Sequence, residues 1–91
     1  MSRIAVRLRV TGHVHGVGYR ESLVRVASEL GVKGWVMNEF DGSVKAFLQG
    51  EDARVVEAVE WAMRGPPGAR VDTAKTDRVA PRSVHGFRIW R

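Results

Sequence analysis

Ninety-one residues permit one domain with one modest core, since a chain of this size buries only about 60–65% of the surface its unfolded form exposes. Hydrophobic residues make up 44% of the chain, which is ordinary for a globular protein and does not suggest disorder, and the absence of cysteine excludes disulfide staples, thiolate metal sites and cysteine nucleophiles. Fifteen Lys and Arg stand against ten Asp and Glu, and the resulting +5 points to an anionic partner: nucleic acid, a membrane surface or a phosphorylated small molecule.

The distribution of charge sorts these partners. Residues 1–33 carry six basic and two acidic side chains, residues 70–91 repeat that count, and residues 34–69 carry three basic and six acidic. The basic residues come singly, not in the blocks that polyanion-binding tails use. No apolar run approaches the roughly 20 residues of a membrane span, and the N-terminus lacks the uninterrupted apolar stretch of a secretion signal. A cytoplasmic protein with no membrane partner is expected, with a single domain over residues 1–91.

Residues 3–10 alternate Ile4, Val6, Leu8 and Val10 with Arg3, Ala5, Arg7 and Arg9, which predicts a half-buried strand with a basic face. Glycines follow at 12, 16 and 18. From Tyr19 the spacing becomes helical through Leu23, Val26, Ala27 and Leu30, and Gly31 closes the helix. A second strand spans about 32–38, Asp41-Gly42 supplies hairpin chemistry, and a third strand returns over 43–49. A second helix opens at Gly50-Glu51-Asp52 with Asp52 as the expected N-cap, and carries the stripe Val55, Val59, Ala62 and Met63. Gly65-Pro66-Pro67-Gly68 stops it. A fourth strand over 69–78 is poorly patterned, because Val71, Ala74 and Val79 do not keep one parity, and a short last strand is expected over 84–90.

This order makes two split strand-helix-strand units. It predicts a ferredoxin-like α+β two-layer sandwich, an antiparallel sheet with both helices on one face. A strand-helix-strand unit points its two strands the same way. The glycine-rich loop after the first strand and the turn at 38–42 after the second therefore share one rim, and that rim is where a site is expected.

The segment Gly12-His13-Val14-His15-Gly16-Val17-Gly18-Tyr19-Arg20 is the most informative in the chain. Its glycines allow successive backbone N–H groups to converge into an anion nest at a helix N-terminus. Arg20 falls in the first helical turn, the wrong end of the dipole for a cation unless an anion balances it. The pattern matches neither a Walker A loop nor a dinucleotide fingerprint. From these residues alone it fits equally a glycine-rich connection with a surface arginine.

Gly12-x-Val14-x-Gly16-Val17-x-Tyr19-Arg20, followed by Gly34-Trp35-Val36-x-Asn38-x-x-Asp41-Gly42-Ser43-Val44, resembles the acylphosphatase family over almost the whole chain. The resemblance implies a ferredoxin-like sandwich and a metal-independent, cofactor-free hydrolase of the carboxyl–phosphate bond of acyl phosphates, releasing inorganic phosphate. It implies that the loop His15, Gly16, Val17, Gly18, Tyr19 and Arg20 wraps the phosphate, that Arg20 grips phosphoryl oxygens in a bidentate manner, and that Asn38 holds the attacking water. His15 stands where the family usually has Gln.

His13 and His15 alternate but lack a third ligand at a convincing spacing, so no metal site is expected. Ser43 and Asp41-Gly42 read as turn residues, and Tyr19 and Trp35 as packing residues. The competing function is a ferredoxin-like RNA- or ligand-binding module without catalysis, using Arg3, Arg7, Arg9 and Phe47 on an exposed sheet face. The acidic middle third weighs against it, so a monomer with a small-molecule acyl phosphate substrate and no nucleic-acid partner is expected.

Overall fold

The structure, a computed structural model, describes residues 2–90; residues 1 and 91 lie outside it. The elements are β1 (Arg3–His13), α1 (Tyr19–Glu29), β2 (Lys33–Asn38), β3 (Val44–Glu51), α2 (Asp52–Arg64), β4 (Arg70–Val79) and β5 (Phe87–Ile89). The sheet runs β4-β1-β3-β2-β5, with both helices over one face. The period-two pattern of β1 does what it predicts: Ile4, Val6, Leu8 and Val10 face the helices and pack against Leu23 and Ala27 of α1 and Val55 and Ala58 of α2. The ferredoxin-like sandwich expected from the order of elements is the fold observed.

Four details differ. The first four strands are antiparallel, but β5 pairs with β2 in parallel, so the sheet is mixed. The last strand is also shorter than expected, because residues 80–86 cross the face opposite the helices before β5 joins the far edge. Gln49 holds this crossing in place by donating to the Arg82 carbonyl (2.8 Å) and accepting from the Arg82 N–H (2.7 Å). Helix α2 starts one residue earlier than an Asp52 N-cap would have it: Glu51 is the N-cap, and Asp52 is the first helical residue. Met63 is 48% exposed, the buried stripe being Val55, Ala58 and Ala62.

The broken parity of β4 has a simple cause. Thr11 pairs with Thr73 but Gly12 pairs with Val71, so Asp72 is an extra residue in a β-bulge. The bulge returns Val71 to the helix side beside Ala74. Val79, opposite Ala5, packs on the other face against the cluster of Ala5, Trp35 and Phe47.

Tyr19 joins the two helices. It is 1% exposed, its ring lies 5.9 Å from that of Trp61, and its hydroxyl donates to the Ala62 carbonyl at 2.7 Å. That carbonyl is in the last turn of α2, where intrahelical donors have run out. Burial pushes the phenol pKa up, so the hydroxyl keeps its proton and remains a donor. Tyr19→Phe is expected to lower unfolding free energy by about 1 kcal/mol in urea titration, the net value of one buried hydrogen bond.

Candidate functional site

Between β1 and α1 the chain passes through residues 14–18. Val14, 2% exposed, anchors the start of this loop in the core, and Val17 packs partly against it. Gly16 (φ 74°) and Gly18 (φ 75°) adopt the left-handed conformation that costs other residues roughly 1–2 kcal/mol. A Cβ at either position would meet no neighbour within 4 Å, so backbone conformation, not space, requires glycine. Gly18 is also the N-cap of α1, with no side-chain cap; its carbonyl accepts the Ser22 N–H at 3.0 Å.

The consequence is a run of free donors. Among the described residues, no backbone carbonyl or side-chain acceptor takes up the N–H groups of His15, Gly16, Val17, Gly18, Tyr19 or Arg20. Helix geometry leaves the first-turn N–H groups open, and the left-handed glycines extend that opening into the loop. Arg20 is half-buried beside them and makes no ion pair among the described residues.

The opposite wall of the rim is the β2–β3 hairpin. Asn38 pairs with Val44, which pairs in turn neighbouring strands with Val10, so Asn38 ends a row that faces the helices. Its Oδ1 is buried and has no hydrogen-bond partner among the described residues. A buried amide oxygen costs about 1–3 kcal/mol unless a donor reaches it.

The turn after Asn38 is tightly tied. Asp41 Oδ1 accepts the Ser43 N–H (2.9 Å) and the Ser43 hydroxyl (2.6 Å), and Asp41 Oδ2 pairs with Arg9 of β1. The Ser43 carbonyl accepts the Glu39 N–H (2.9 Å) and lies 3.0 Å from His15 Nε2. A carbonyl only accepts, so His15 Nε2 carries the proton. The two Ser43 hydrogen bonds, followed by Arg9, pull the Asp41 carboxyl down to about 2 from an ordinary 3.8.

The expected site residues thus fall on one rim: the loop 15–20 on one side, Asn38 on the other, with His15 bridging them through Ser43. Ser43 and Asp41-Gly42 support the turn, and Trp35, 7% exposed, packs against Phe47 and Trp90, as their patterns predict. Gly12 is a correction. It lies within β1, not in the nest, at the bulge where a Cβ would come within 2.1 Å of the Arg70 carbonyl. His13 ends β1 opposite Arg70 and is exposed, so the two histidines are used differently. Arg9 was missed as a support of the site; 32 residues separate it from Asp41, and only strand pairing brings them together. The Asp-Gly-Ser turn was the one signal available for its partner.

The open face offers a hollow of about 320 Å³ lined by Arg7, Arg9, Lys45, Lys75, Glu39 and Asp77. Two of its four cations are answered locally, Arg9 by Asp41 and Lys45 by Glu39 at 3.8 Å. Phe47, the aromatic on which the RNA-binding reading relies, is 2% exposed beneath the Arg82 guanidinium.

Fold and rim together define a ferredoxin-like α+β domain whose polar groups are left open at the C-terminal ends of β1 and β2. A family model described as acylphosphatase matches residues 6–89. The acylphosphatase of Thermococcus kodakarensis is 43% identical over 89 residues, covering 98% of each chain. The solved acylphosphatase from Coxiella burnetii superposes with a TM-score of 0.93 at 32% identity, over 97% of this chain and 93% of that one. That from Bacillus subtilis does so with a TM-score of 0.93 at 28% identity, over 97% and 99%. The chain belongs to the acylphosphatase family and is a hydrolase of that kind.

Asp41 gives the hairpin a testable acid response. Its folded pKa lies below its unfolded one, so its contribution is full above the unfolded value of 3.8 and is lost as pH falls through about 2. The side chain is exposed, which keeps the effect small. Asp41→Asn is expected to flatten the stability–pH curve between about pH 4 and 2, as read from denaturant midpoints. An unchanged slope in that window would show the contacts to Ser43 and Arg9 to be energetically silent.

Proposed function

We propose that the rim hydrolyses acyl phosphates, with the phosphoryl group held by the loop 15–20 and Arg20 and the attacking water held by Asn38. The observation that carries this reading is the polarity of the rim that no described residue pairs: six N–H groups and Arg20 on one wall, and the buried Asn38 Oδ1 on the other. A phosphoryl group supplies three acceptor oxygens to the first. A water molecule supplies the missing donor to the second.

The chemistry suits these groups. A carboxylate leaves readily without a proton, so the substrate needs no general acid. A loose phosphoryl-transfer transition state needs its equatorial oxygens stabilised and its water aligned. Preorganised N–H groups at a helix N-terminus, with the Arg20 fork, provide the first. Asn38 Oδ1 accepts one hydrogen of the water and turns its lone pair towards phosphorus. An amide takes up no proton, so as the new P–O bond forms and the bond to the carboxylate breaks, the water proton passes to a phosphoryl oxygen of the substrate. The products are a carboxylate and inorganic phosphate.

The chain acts on this reading as a cytoplasmic monomer, with acyl phosphate and inorganic phosphate as its small-molecule partners. No helix among the described residues is long and apolar enough to cross a membrane. The remaining net positive charge draws anions to the rim, an effect that weakens with salt.

Turnover of benzoyl phosphate tests the assignment. Arg20→Ala is expected to lower kcat/KM about 10³-fold and to abolish competitive inhibition by inorganic phosphate; Arg20→Lys recovers only part, because it lacks the fork. Asn38→Ala is expected to lower kcat about 10²-fold while phosphate inhibition stays within about twofold. Wild-type turnover at the spontaneous rate, or full activity in both folded alanine variants, contradicts the proposal.

A further inference from the structure

The contact between His15 and Ser43 has no part in the chemistry just described, yet it is the one described hydrogen bond that joins the 14–18 loop to the hairpin bearing Asn38. The two walls of the rim otherwise reach each other only through the sheet: the loop through β1, the hairpin through β2 and β3. Ser43 is 2% exposed, and all its polar groups are engaged. Its N–H and hydroxyl go to Asp41, and its carbonyl goes to the Glu39 N–H and to His15. Asp41 is held in turn by Arg9. The carbonyl that His15 grips is therefore a fixed point on the hairpin, with Asn38 immediately before the turn that it closes.

We infer that His15 is a positioning residue: by donating Nε2–H to the Ser43 carbonyl it sets the spacing between the phosphate-holding loop and the water-holding Asn38. The inference rests on the proposed assignment of those two walls. His15 has its own open backbone N–H in the loop, so its side chain and main chain face two tasks at once. The backbone binds, while the ring clamps that backbone to the opposite wall.

This division has a kinetic signature. Phosphate is held by groups on one wall, so loss of the clamp leaves its affinity largely intact. Alignment of water with phosphorus involves both walls, and misplacement on the order of 1 Å costs up to about 10²-fold in rate. A side chain at position 15 that only stabilised the loop would change binding and turnover together.

The experiment compares wild type, His15→Ala and His15→Gln for benzoyl phosphate turnover, inhibition by inorganic phosphate and thermal midpoint. Glutamine places an amide N–H at nearly the same distance from Cβ as imidazole Nε2 and does not titrate. His15→Ala is expected to lower kcat about 10- to 100-fold with the phosphate inhibition constant within about twofold, and His15→Gln to recover most of the loss. In a second arm, Asp41→Asn loosens Ser43 from the other side, and its effect on kcat is expected to be smaller in the His15→Ala background than alone. Unchanged kcat in His15→Ala overturns the inference, as does a parallel loss of kcat and phosphate affinity, or failure of Gln to recover kcat once the thermal midpoint is restored. If His15→Ala does not fold, His15→Gln carries the test alone, and wild-type kcat and phosphate inhibition support the donor role while a lost kcat overturns it. Wild-type turnover at the spontaneous rate is a different result: it removes the functional assignment itself.

Discussion

The rim depends on where the backbone N–H groups of residues 15–20 point. A hydrogen-bonded backbone consumes its own donors, and a protein rarely leaves several adjacent ones open. Here two left-handed glycines turn the chain so that α1 begins without a side-chain cap and, among the described residues, the loop before it forms no internal hydrogen bonds. The strand–helix crossover fixes this opening beside the C-terminal end of β1. The open donors and Arg20, at the positive end of the helix dipole, face a buried amide oxygen across the rim, and a helix N-terminus of this kind suits an anion.

Such a site needs a rigid frame, and the frame is built from contacts far apart in sequence. Tyr19, the first residue of α1, hydrogen-bonds the last turn of α2, so the helix that aims its N-terminus at the rim is fixed against its neighbour. Across the rim, Arg9, Asp41, Ser43 and His15 form a continuous chain of hydrogen bonds from β1 through the hairpin to the loop. Exposed ion pairs such as Arg9–Asp41 add little to global stability. Their value here is geometric, because each one removes a direction in which the hairpin could move.

The residues that meet at the rim were legible because their spacing is local. Glycine at 16 and 18 before a helical stripe, and Asn38 ahead of an Asp-Gly turn, announce backbone conformations that depend on immediate neighbours. The supports were not legible. Nothing near Arg9 names Asp41, and nothing near His15 names the Ser43 carbonyl, since a backbone acceptor has no identity in a sequence. Gly12 shows the opposite error. Read with its neighbours it joins the glycine loop, whereas the Arg70 carbonyl from β4, approaching within reach of any Cβ, assigns it to a bulge.

The amino-acid sequence by itself determined the sandwich, the two helix faces and the rim, because periodicity and turn chemistry act over a few residues and the crossover rule does the rest. The reaction itself came from the two motif blocks that resemble the acylphosphatase family, not from periodicity. Only the tertiary structure decided the bulge at Asp72, the return of residues 80–86 across the open face to a parallel β5, the burial of Phe47, and the tie between His15 and Ser43. Each of these pairs atoms whose separation is set by strand register and packing. A periodic pattern carries no information about which partner will stand opposite.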